Sequence, residues 1–188
     1  MKNIKRSLSY IVVALLVTFF VGCGSMYNYK VEPTPMKKGE AKYVIEDFKL
    51  TLSHGHGRNL ENKTFKNENE LKDSFVQFIN QKLKEKNLLG SAENRYKVRV
   101  ALNYERRYNY GGNALNKPYF DYDIDILDNN EKLLVSYSVP ISTTKYSYAK
   151  DIAVNLEIAA FNWDAEDEPT DIEMIASTIV RELSEIGK

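Results

Sequence analysis

The chain has 188 residues, and its 26 Lys and Arg residues balance its 26 Asp and Glu residues, so the formal net charge is zero. This length allows one ordinary domain with its own hydrophobic core. A balanced charge gives the chain no overall electrostatic reason to bind nucleic acid. Because the sequence holds a single cysteine, an intrachain disulfide is excluded.

Residues 1–22 have the three parts of a secretory signal peptide. Lys2, Lys5 and Arg6 form a basic start, and an apolar stretch of about a dozen residues follows and ends at Val21. A transmembrane helix needs about 20 apolar residues. A retained membrane span is therefore the weaker interpretation of this segment.

Residues 20–23, FVGC, resemble the lipobox of bacterial lipoproteins, in which a small residue directly precedes the cysteine. Phe20 departs from the family, which usually has Leu at that position. The resemblance implies cleavage before Cys23, a diacylglyceryl group on its thiol and an acyl chain on its new amino group, which together anchor the protein to a membrane. Gly24 and Ser25 lack the aspartate linked to inner-membrane retention, so the resemblance implies the outer membrane, facing the periplasm.

After cleavage, residues 23–42 are predicted to be a lipidated N-terminus and a flexible tether. Pro33, Pro35 and Gly39 lie there among polar residues without periodicity. A flexible chain of this length reaches roughly 25 Å. Residues 43–188 are then predicted to form a single domain.

The domain is predicted to begin with a strand, a loop and a helix. Residues 43–52 are apolar with partial alternation, which is typical of a strand, and a polar loop follows. Residues 67–89 have apolar side chains at helical spacing. Asn67 and Glu70 match a capping box at the start of this helix, and Gly90 is well placed to end it.

Three strands follow in the predicted order. Residues 96–104 alternate between apolar and polar side chains, and residues 120–126 do the same. Residues 128–131 are typical of a turn, so residues 133–141 are predicted to return as the second arm of a hairpin. Pro140 would interrupt a hydrogen-bond ladder, which predicts a bend or a sheet edge there.

The C-terminal part is predicted to be mainly helical. Residues 147–161 combine strand-like alternation with alanines that favour a helix, and a helix is the preferred interpretation. The acidic run at 164–168 is expected to be a surface loop. Thr170 and Glu173 match a second capping box, and an apolar stripe at helical spacing follows them.

The element order β-α-β-β-β-(α)-α predicts an α+β fold. It implies an antiparallel sheet of about four strands with two or three helices packed on one face. In topology this order is similar to small envelope lipoprotein domains related to the amino-terminal domain of TolB and to the curli secretion lipoprotein. Fold alone does not determine function.

Both histidines of the chain, His54 and His56, lie in one short loop. They are weak candidates for a metal site, because imidazole pairs recur in zinc and copper sites. A closed site would need carboxylates or water as further ligands. The alternative is a glycine-rich loop that happens to contain histidine.

Asp121, Asp123 and Asp125 superficially match the first half of a calcium loop. They alternate with apolar residues along a predicted strand, however, so their carboxylates would point in parallel and not converge. The sequence therefore predicts a solvated strand face that pairs with Lys97 and Arg99 of the neighbouring strand.

Residues 105–119 are predicted to contact a protein partner, because Arg and Tyr are enriched at interface hot spots and surround a flexible Gly-Gly. Cell-wall glycans are an alternative ligand, since aromatic rings also stack on sugars. An ordinary hairpin connection with locally packed tyrosines is the structural alternative. The predicted contact residues are Arg106, Arg107, Tyr108, Tyr110 and Tyr119.

These features favour a non-enzymatic envelope lipoprotein, without a cofactor, that acts as an accessory or assembly partner of a periplasmic or outer-membrane machine. The sequence has no G-x-S-x-G motif, no P-loop and no G-x-G-x-x-G motif. Acylation of Cys23 would also leave no free thiol for catalysis. A periplasmic lipoprotein that binds a glycan or a metal is the alternative, and a hydrolase is the third hypothesis.

Overall fold

The computed structural model describes residues 28–31, 36–59, 61–91 and 95–187. The predicted signal peptide and Cys23 lie outside these ranges. The side chains of Asn28, Tyr29 and Tyr110 also lie outside the described part of the chain. Within these ranges, no helix has the length and apolar character that crossing a membrane requires.

Five strands, three α-helices and a short 3-10 helix (Tyr110–Gly112) are present in the described residues. The strands are β1 (Asn28–Val31), β2 (Tyr43–His54), β3 (Tyr96–Tyr108), β4 (Leu115–Leu127) and β5 (Leu133–Thr143). The helices are α1 (Glu68–Glu85), α2 (Tyr148–Ala159) and α3 (Glu168–Glu185). The preferred helical interpretation of residues 147–161 is therefore confirmed by α2.

The strands form one mixed sheet in the spatial order β1-β5-β4-β3-β2. Neighbouring strands are antiparallel except for β2 and β3, which are parallel. The predicted α+β fold is confirmed, with β1 as an additional fifth strand. The parallel pair departs from the predicted antiparallel sheet because α1 carries the chain back between β2 and β3, as a crossover connection does.

The predicted capping box at the start of α1 is confirmed. The backbone N–H of Glu70 donates to the Asn67 side chain at 3.1 Å, and the backbone N–H of Asn67 donates to the Glu70 carboxylate at 2.8 Å. The helix ends at Glu85, before the predicted end near Gly90. Asn87 adopts a left-handed φ of 54°, which stops the helix a few residues earlier.

The start of α3 differs from the prediction. The helix begins at Glu168, and Pro169 occupies its first turn, where a missing N–H leaves no helical hydrogen bond unmade. Thr170 therefore lies inside the helix and does not cap it together with Glu173. Asp167 is the N-cap residue and makes no side-chain capping hydrogen bond.

The main core lies between one face of the sheet and the helices α1 and α3. Alternation in β3 and β4 directs Val100 and Ile124, which oppose each other in the sheet, toward these helices. Phe75 of α1 stacks on Phe48 of β2 with ring centroids 5.8 Å apart. Burial of one such ring stabilises the fold by about 1.5–3 kcal/mol. No helix among the described residues packs on the other face of the sheet.

Helix α2 does not lie beside α1 and α3. It packs at the end of the sheet where β3 turns into β4, which we call the hairpin end. Val154 is its buried residue, and it joins Tyr108, Leu115 and Trp163 in a second, smaller core. The indole N–H of Trp163 donates to Asp171 of α3 at 3.1 Å, which ties this small core to the main body of the domain.

Strand β1 corrects the predicted tether. Asn28, Tyr29 and Val31 pair with three positions of β5, and Met36 and Ala41 are buried in the main core. These residues belong to the fold because they gain strand hydrogen bonds and apolar contacts. Residues 28–31, together with Met36 and Ala41, therefore belong to the folded domain and not to a tether, whereas residues 23–27 and 32–35 lie outside the described residues.

Candidate functional site

The helix-free face of the sheet, which we call the open face, carries a network of charged side chains. Glu46 accepts from Lys97 at 2.9 Å and from Arg99 at 2.8 Å, and Glu131 accepts from Arg99 at 2.6 Å and also from Lys97. The hydrogen bond from Lys97, together with that from Arg99, lowers the pKa of Glu46. Lys97 and Arg99, which were predicted to pair with the aspartates of β4, therefore pair with Glu46 and Glu131 instead.

The aspartates of β4 have other partners. Asp123 accepts from Lys30 of β1 at 2.6 Å and also from Ser138 of β5. Asp125 accepts from Ser136 at 2.6 Å, and Asp121 accepts from Asn103 at 2.8 Å. The predicted solvated strand face is therefore present, but its partners come from β1, β5 and Asn103 and not from Lys97 and Arg99. No group of His, Cys, Asp or Glu side chains in the described ranges is arranged to hold a metal ion.

Two of the five predicted contact residues lie together on the open face. The guanidinium carbon of Arg107 lies 4.1 Å from the ring centroid of Tyr119, which is 39% exposed. Arg107 of β3 and Tyr119 of β4 occupy outward-facing positions in the alternation of their strands, so both side chains lie on the open face. The position of the Tyr110 side chain is outside the described part of the chain.

Arg106 is not a surface residue, which corrects its predicted role in partner contact. Its side chain is 2% exposed and donates to both carboxylate oxygens of Glu168, at 2.6 and 2.9 Å, and to the Lys66 carbonyl at 2.7 Å. Burial raises the pKa of Glu168, although the hydrogen bonds from Arg106 oppose this effect. The ion pair fixes the start of α3 on the sheet. Glu168 is thus interior, not part of the predicted surface loop.

Tyr108 is also buried, and it explains the position of His54. The two rings stack with centroids 5.9 Å apart, and His54 Nδ1 is hydrogen-bonded to the Tyr108 hydroxyl at 2.8 Å. Burial, together with the charges of Arg58 and Arg106, lowers the pKa of His54. His56 is exposed in the loop beyond. The two histidines therefore differ in environment, and Tyr108 does not belong to the contact surface.

A polar cleft of about 680 Å³ lies beside His54, between the end of β2 and the start of α1. Arg58, Lys63 and Lys66 line it with Glu68 and Glu70. Glu70 is held by the capping box, and Glu68 accepts from the backbone of β2 at 2.8 Å. Glu68 and Glu70, the acidic side chains of this cleft, thus both accept hydrogen bonds from the backbone of the domain.

A second cleft of about 590 Å³ lies between α3 and the second half of β5. Phe120, Val139 and Met174 give it an apolar lining, and Glu182 of α3 lies at its wall. The Tyr122 hydroxyl donates to the Glu182 carboxylate at 2.6 Å. Burial raises the pKa of Glu182 to about 7 in spite of this hydrogen bond.

The buried carboxylates of α3, which are Glu168, Asp171 and Glu182, were not predicted from the sequence. Asp171 accepts from the Tyr146 hydroxyl at 2.5 Å, and burial raises its pKa. A signal was present, because these acidic residues fall on the same helical face as Ile175 in the apolar stripe. Helical spacing therefore identified the buried face, although the assumption that acidic residues lie outside it was wrong.

Large apolar and aromatic side chains are exposed mainly at the hairpin end. Tyr148, Ile152 and Leu156 follow one another at intervals of four residues along α2, so they form a row on one side of that helix. Nine large apolar or aromatic side chains are exposed in the described ranges, and six lie at this end: Tyr119, Ile141, Tyr148, Ile152, Leu156 and Phe161. The other three are Val31, Leu89 and Leu133.

No family model matches the chain, and no curated protein matches it. Among solved structures, the chain is similar to a minor lipoprotein from Acinetobacter baumannii, with 14% identity over 76% of this chain and 92% of that chain, and a TM-score of 0.35. It is similar to a PelC dodecamer variant from Paraburkholderia phytofirmans, with 11% identity over 80% of this chain and 93% of that chain, and a TM-score of 0.32. It is also similar to a DUF330 protein from Xanthomonas campestris, with 12% identity over 81% of this chain and 90% of that chain, and a TM-score of 0.34. At these TM-scores the likeness decides neither the fold nor the function.

Proposed function

We propose that this chain is a non-enzymatic, lipid-anchored accessory protein of the bacterial cell envelope that binds a protein partner through its open face. The observation that carries the proposal is the Arg107–Tyr119 pair, stacked at 4.1 Å on a sheet face that no helix in the described ranges covers.

Arg107 and Tyr119 are residue types that contribute strongly to protein interfaces. Each is attached to a strand, and the ring restricts the guanidinium before a partner arrives. Such preorganisation reduces the side-chain entropy that binding costs. The charge network of Glu46, Lys97 and Arg99 lies at the other end of the same face, because Arg99 is eight residues along β3 from Arg107, and it is outside the proposed contact surface.

The buried titratable groups support a binding role over a catalytic one. Glu168 is paired with Arg106, Asp171 with Tyr146, and Glu182 accepts from a tyrosine of the sheet. Each of these contacts joins α3 to the strands or to the loop before α2. Raised pKa values at these positions thus follow from the packing of α3, and no substrate chemistry is needed to account for them.

The membrane anchor is proposed from the lipobox resemblance of residues 20–23. Palmitate labelling of the full chain in cells should label the wild type and not Cys23→Ala. Equal labelling of both proteins would overturn the proposed anchor. This measurement does not depend on the partner.

The partner is tested by crosslinking in intact envelopes, followed by purification of the tagged chain. We expect a stoichiometric protein partner that is lost when Arg107→Ala is combined with Tyr119→Ala. Arg99→Ala is the matched control, because it removes one arginine from the same face of the same strand. Retention of the partner by the double variant, or its loss in Arg99→Ala alone, would contradict the proposed surface.

Metal or glycan binding was the alternative expected from the sequence. Tyr108 engages Nδ1 of His54, and Arg107 covers one side of the Tyr119 ring. His54 is therefore engaged within the fold, and no contact among the described residues specifically favours a metal or a glycan over a protein.

A further inference from the structure

We propose that the hairpin end of the domain rests on the lipid bilayer, with the exposed row of α2 in contact with the headgroup and upper acyl region. This inference rests on the acylation of Cys23 given in the proposed function. It adds which surface of the domain meets the membrane.

The direction of β1 determines where the anchor joins the fold. Strands β1 and β5 are antiparallel, with Asn28 paired with Ser138 and Val31 paired with Ser136. The first residue of β1 is therefore the one nearer to Thr143, the last residue of β5. Thr143 pairs with Tyr119, which lies near the start of β4 and thus at the hairpin end. The N-terminal end of β1 therefore faces the hairpin end of the domain.

The short connection leaves the domain little freedom to stand away from the bilayer. Five residue steps separate Cys23 from Asn28, and a fully extended chain of that length spans roughly 17 Å. The hairpin end of β5 lies five residues beyond Ser138, which is again roughly 17 Å at the rise of a strand. With its anchor in the bilayer, the domain is thus held with this end at the lipid surface.

The distribution of exposed apolar side chains matches this orientation. Five large apolar or aromatic side chains lie at the hairpin end apart from Tyr119, which belongs to the proposed partner surface. They are Ile141 of β5, Tyr148, Ile152 and Leu156 of α2, and Phe161 immediately after α2. At the opposite end of the sheet, Leu133 of β5 and Leu89, which bridges to Tyr43, are exposed.

Helix α2 has the character of an interfacial helix. Val154 attaches it to the small core, while Tyr148 at 85% and Leu156 at 64% are exposed on its outer side. Apolar side chains of this kind enter the boundary between headgroups and acyl chains, and tyrosine is favoured at that level. Lys145 and Lys150, near the start of α2, are exposed, and the Lys150 ammonium lies 5.1 Å from the centroid of the Tyr146 ring. Long basic side chains of this kind can reach lipid phosphates.

A lipid surface accounts for these features better than a protein does, because the same end carries both the apolar row and the approach of the anchor. The partner surface at Arg107 and Tyr119 would then lie close to the membrane, on the side of the sheet. A partner that binds there would itself be near the bilayer.

The orientation is tested with the acylated mature protein, which begins at Cys23, in vesicles of phosphatidylethanolamine and phosphatidylglycerol. Acylation consumes the thiol of Cys23, the only cysteine in the sequence, so an introduced cysteine is the sole site for a nitroxide spin label. Ile152→Cys places the label on α2, and Leu133→Cys is the matched control at the opposite end. These two side chains are exposed to similar extents, 45% and 40%.

Electron paramagnetic resonance then measures the rate at which each label collides with oxygen and with a water-soluble nickel chelate, and the ratio of the two rates is compared between positions. We expect the oxygen-to-nickel ratio to be about threefold or more higher at position 152 than at position 133, because an interfacial helix lies some 5–10 Å into the headgroup boundary. Adding Leu156→Asp to Ile152→Cys should reduce the difference. Circular dichroism confirms that each variant is folded.

Equal ratios at both positions in protein that floats with the vesicles would overturn the orientation and leave the anchor in place. Protein that does not float would overturn the anchor and the orientation together. Protection of position 152 in native envelopes but not in pure lipid vesicles would show that a protein covers α2, which also contradicts the proposal.

Discussion

Replacement of Glu182 by glutamine should make the domain more stable at alkaline pH. Burial raises the pKa of this carboxyl to about 7 from its ordinary value of 4.5. The folded state therefore keeps a proton that the unfolded chain releases between pH 4.5 and 7. The free energy of unfolding contributed by this group falls as the pH rises through that window and is constant above it.

The magnitude follows from the difference between the two pKa values. The buried carboxyl lowers the free energy of unfolding by about 3 kcal/mol at pH 8 and by less than about 1 kcal/mol at pH 5. Glu182→Gln removes the charge, and its amide oxygen still accepts from the Tyr122 hydroxyl. The variant should thus exceed the wild type by up to about 3 kcal/mol at pH 8 and be close to it at pH 5.

Urea unfolding of residues 24–188, followed by circular dichroism at pH 5 and pH 8, measures this difference. Arg181 and Glu185 also act on Glu182 from the same helix, with opposite signs. Glu185→Gln is the matched control, because Glu185 is exposed, and it should change the free energy of unfolding by less than about 0.5 kcal/mol. A Glu182→Gln protein that is no more stable than the wild type at pH 8 would refute the reasoning.

Three further substitutions are measured by the same urea titration. Arg106→Met leaves Glu168 buried without its partner and should cost about 3–5 kcal/mol, whereas adding Glu168→Met should recover part of the loss; no recovery would contradict a paired role. Phe75→Ala removes a fully buried ring and should cost about 3–5 kcal/mol, and a loss below about 1 kcal/mol would mean that the core is not packed as described. Asn67→Ala removes the capping box of α1 and should cost about 1 kcal/mol without a change in the slope of the transition.

Local signals in the sequence predicted much of the fold. The capping box at Asn67 and the alternation of β3 depend on residues that are neighbours in the chain, and both were identified. The parallel pairing of β2 and β3 was missed, although a β-α-β order is itself the usual signature of a parallel crossover. Strand β1 has four residues, and its pairing with β5 depends on contacts more than 100 positions away.

The predicted site shows where residue type misled the interpretation. Arg106 and Arg107 were grouped because arginine is common at interfaces. The alternation that identified β3 through Tyr104 already assigns Arg106 to the buried face and Arg107 to the open face. What the sequence could not supply was the partner of the buried arginine, Glu168, which lies 62 residues away and meets it only after α3 packs on the sheet.

Trp163 gives the domain a native optical reporter at one defined place. It is the only tryptophan of the chain, and it is buried between the hairpin end and α3. Intrinsic fluorescence excited at the indole band will therefore follow the hairpin end selectively, without any added label. A change in emission on contact with a membrane or a partner would report on the small core that holds α2 and on the start of α3, to which the indole is hydrogen-bonded.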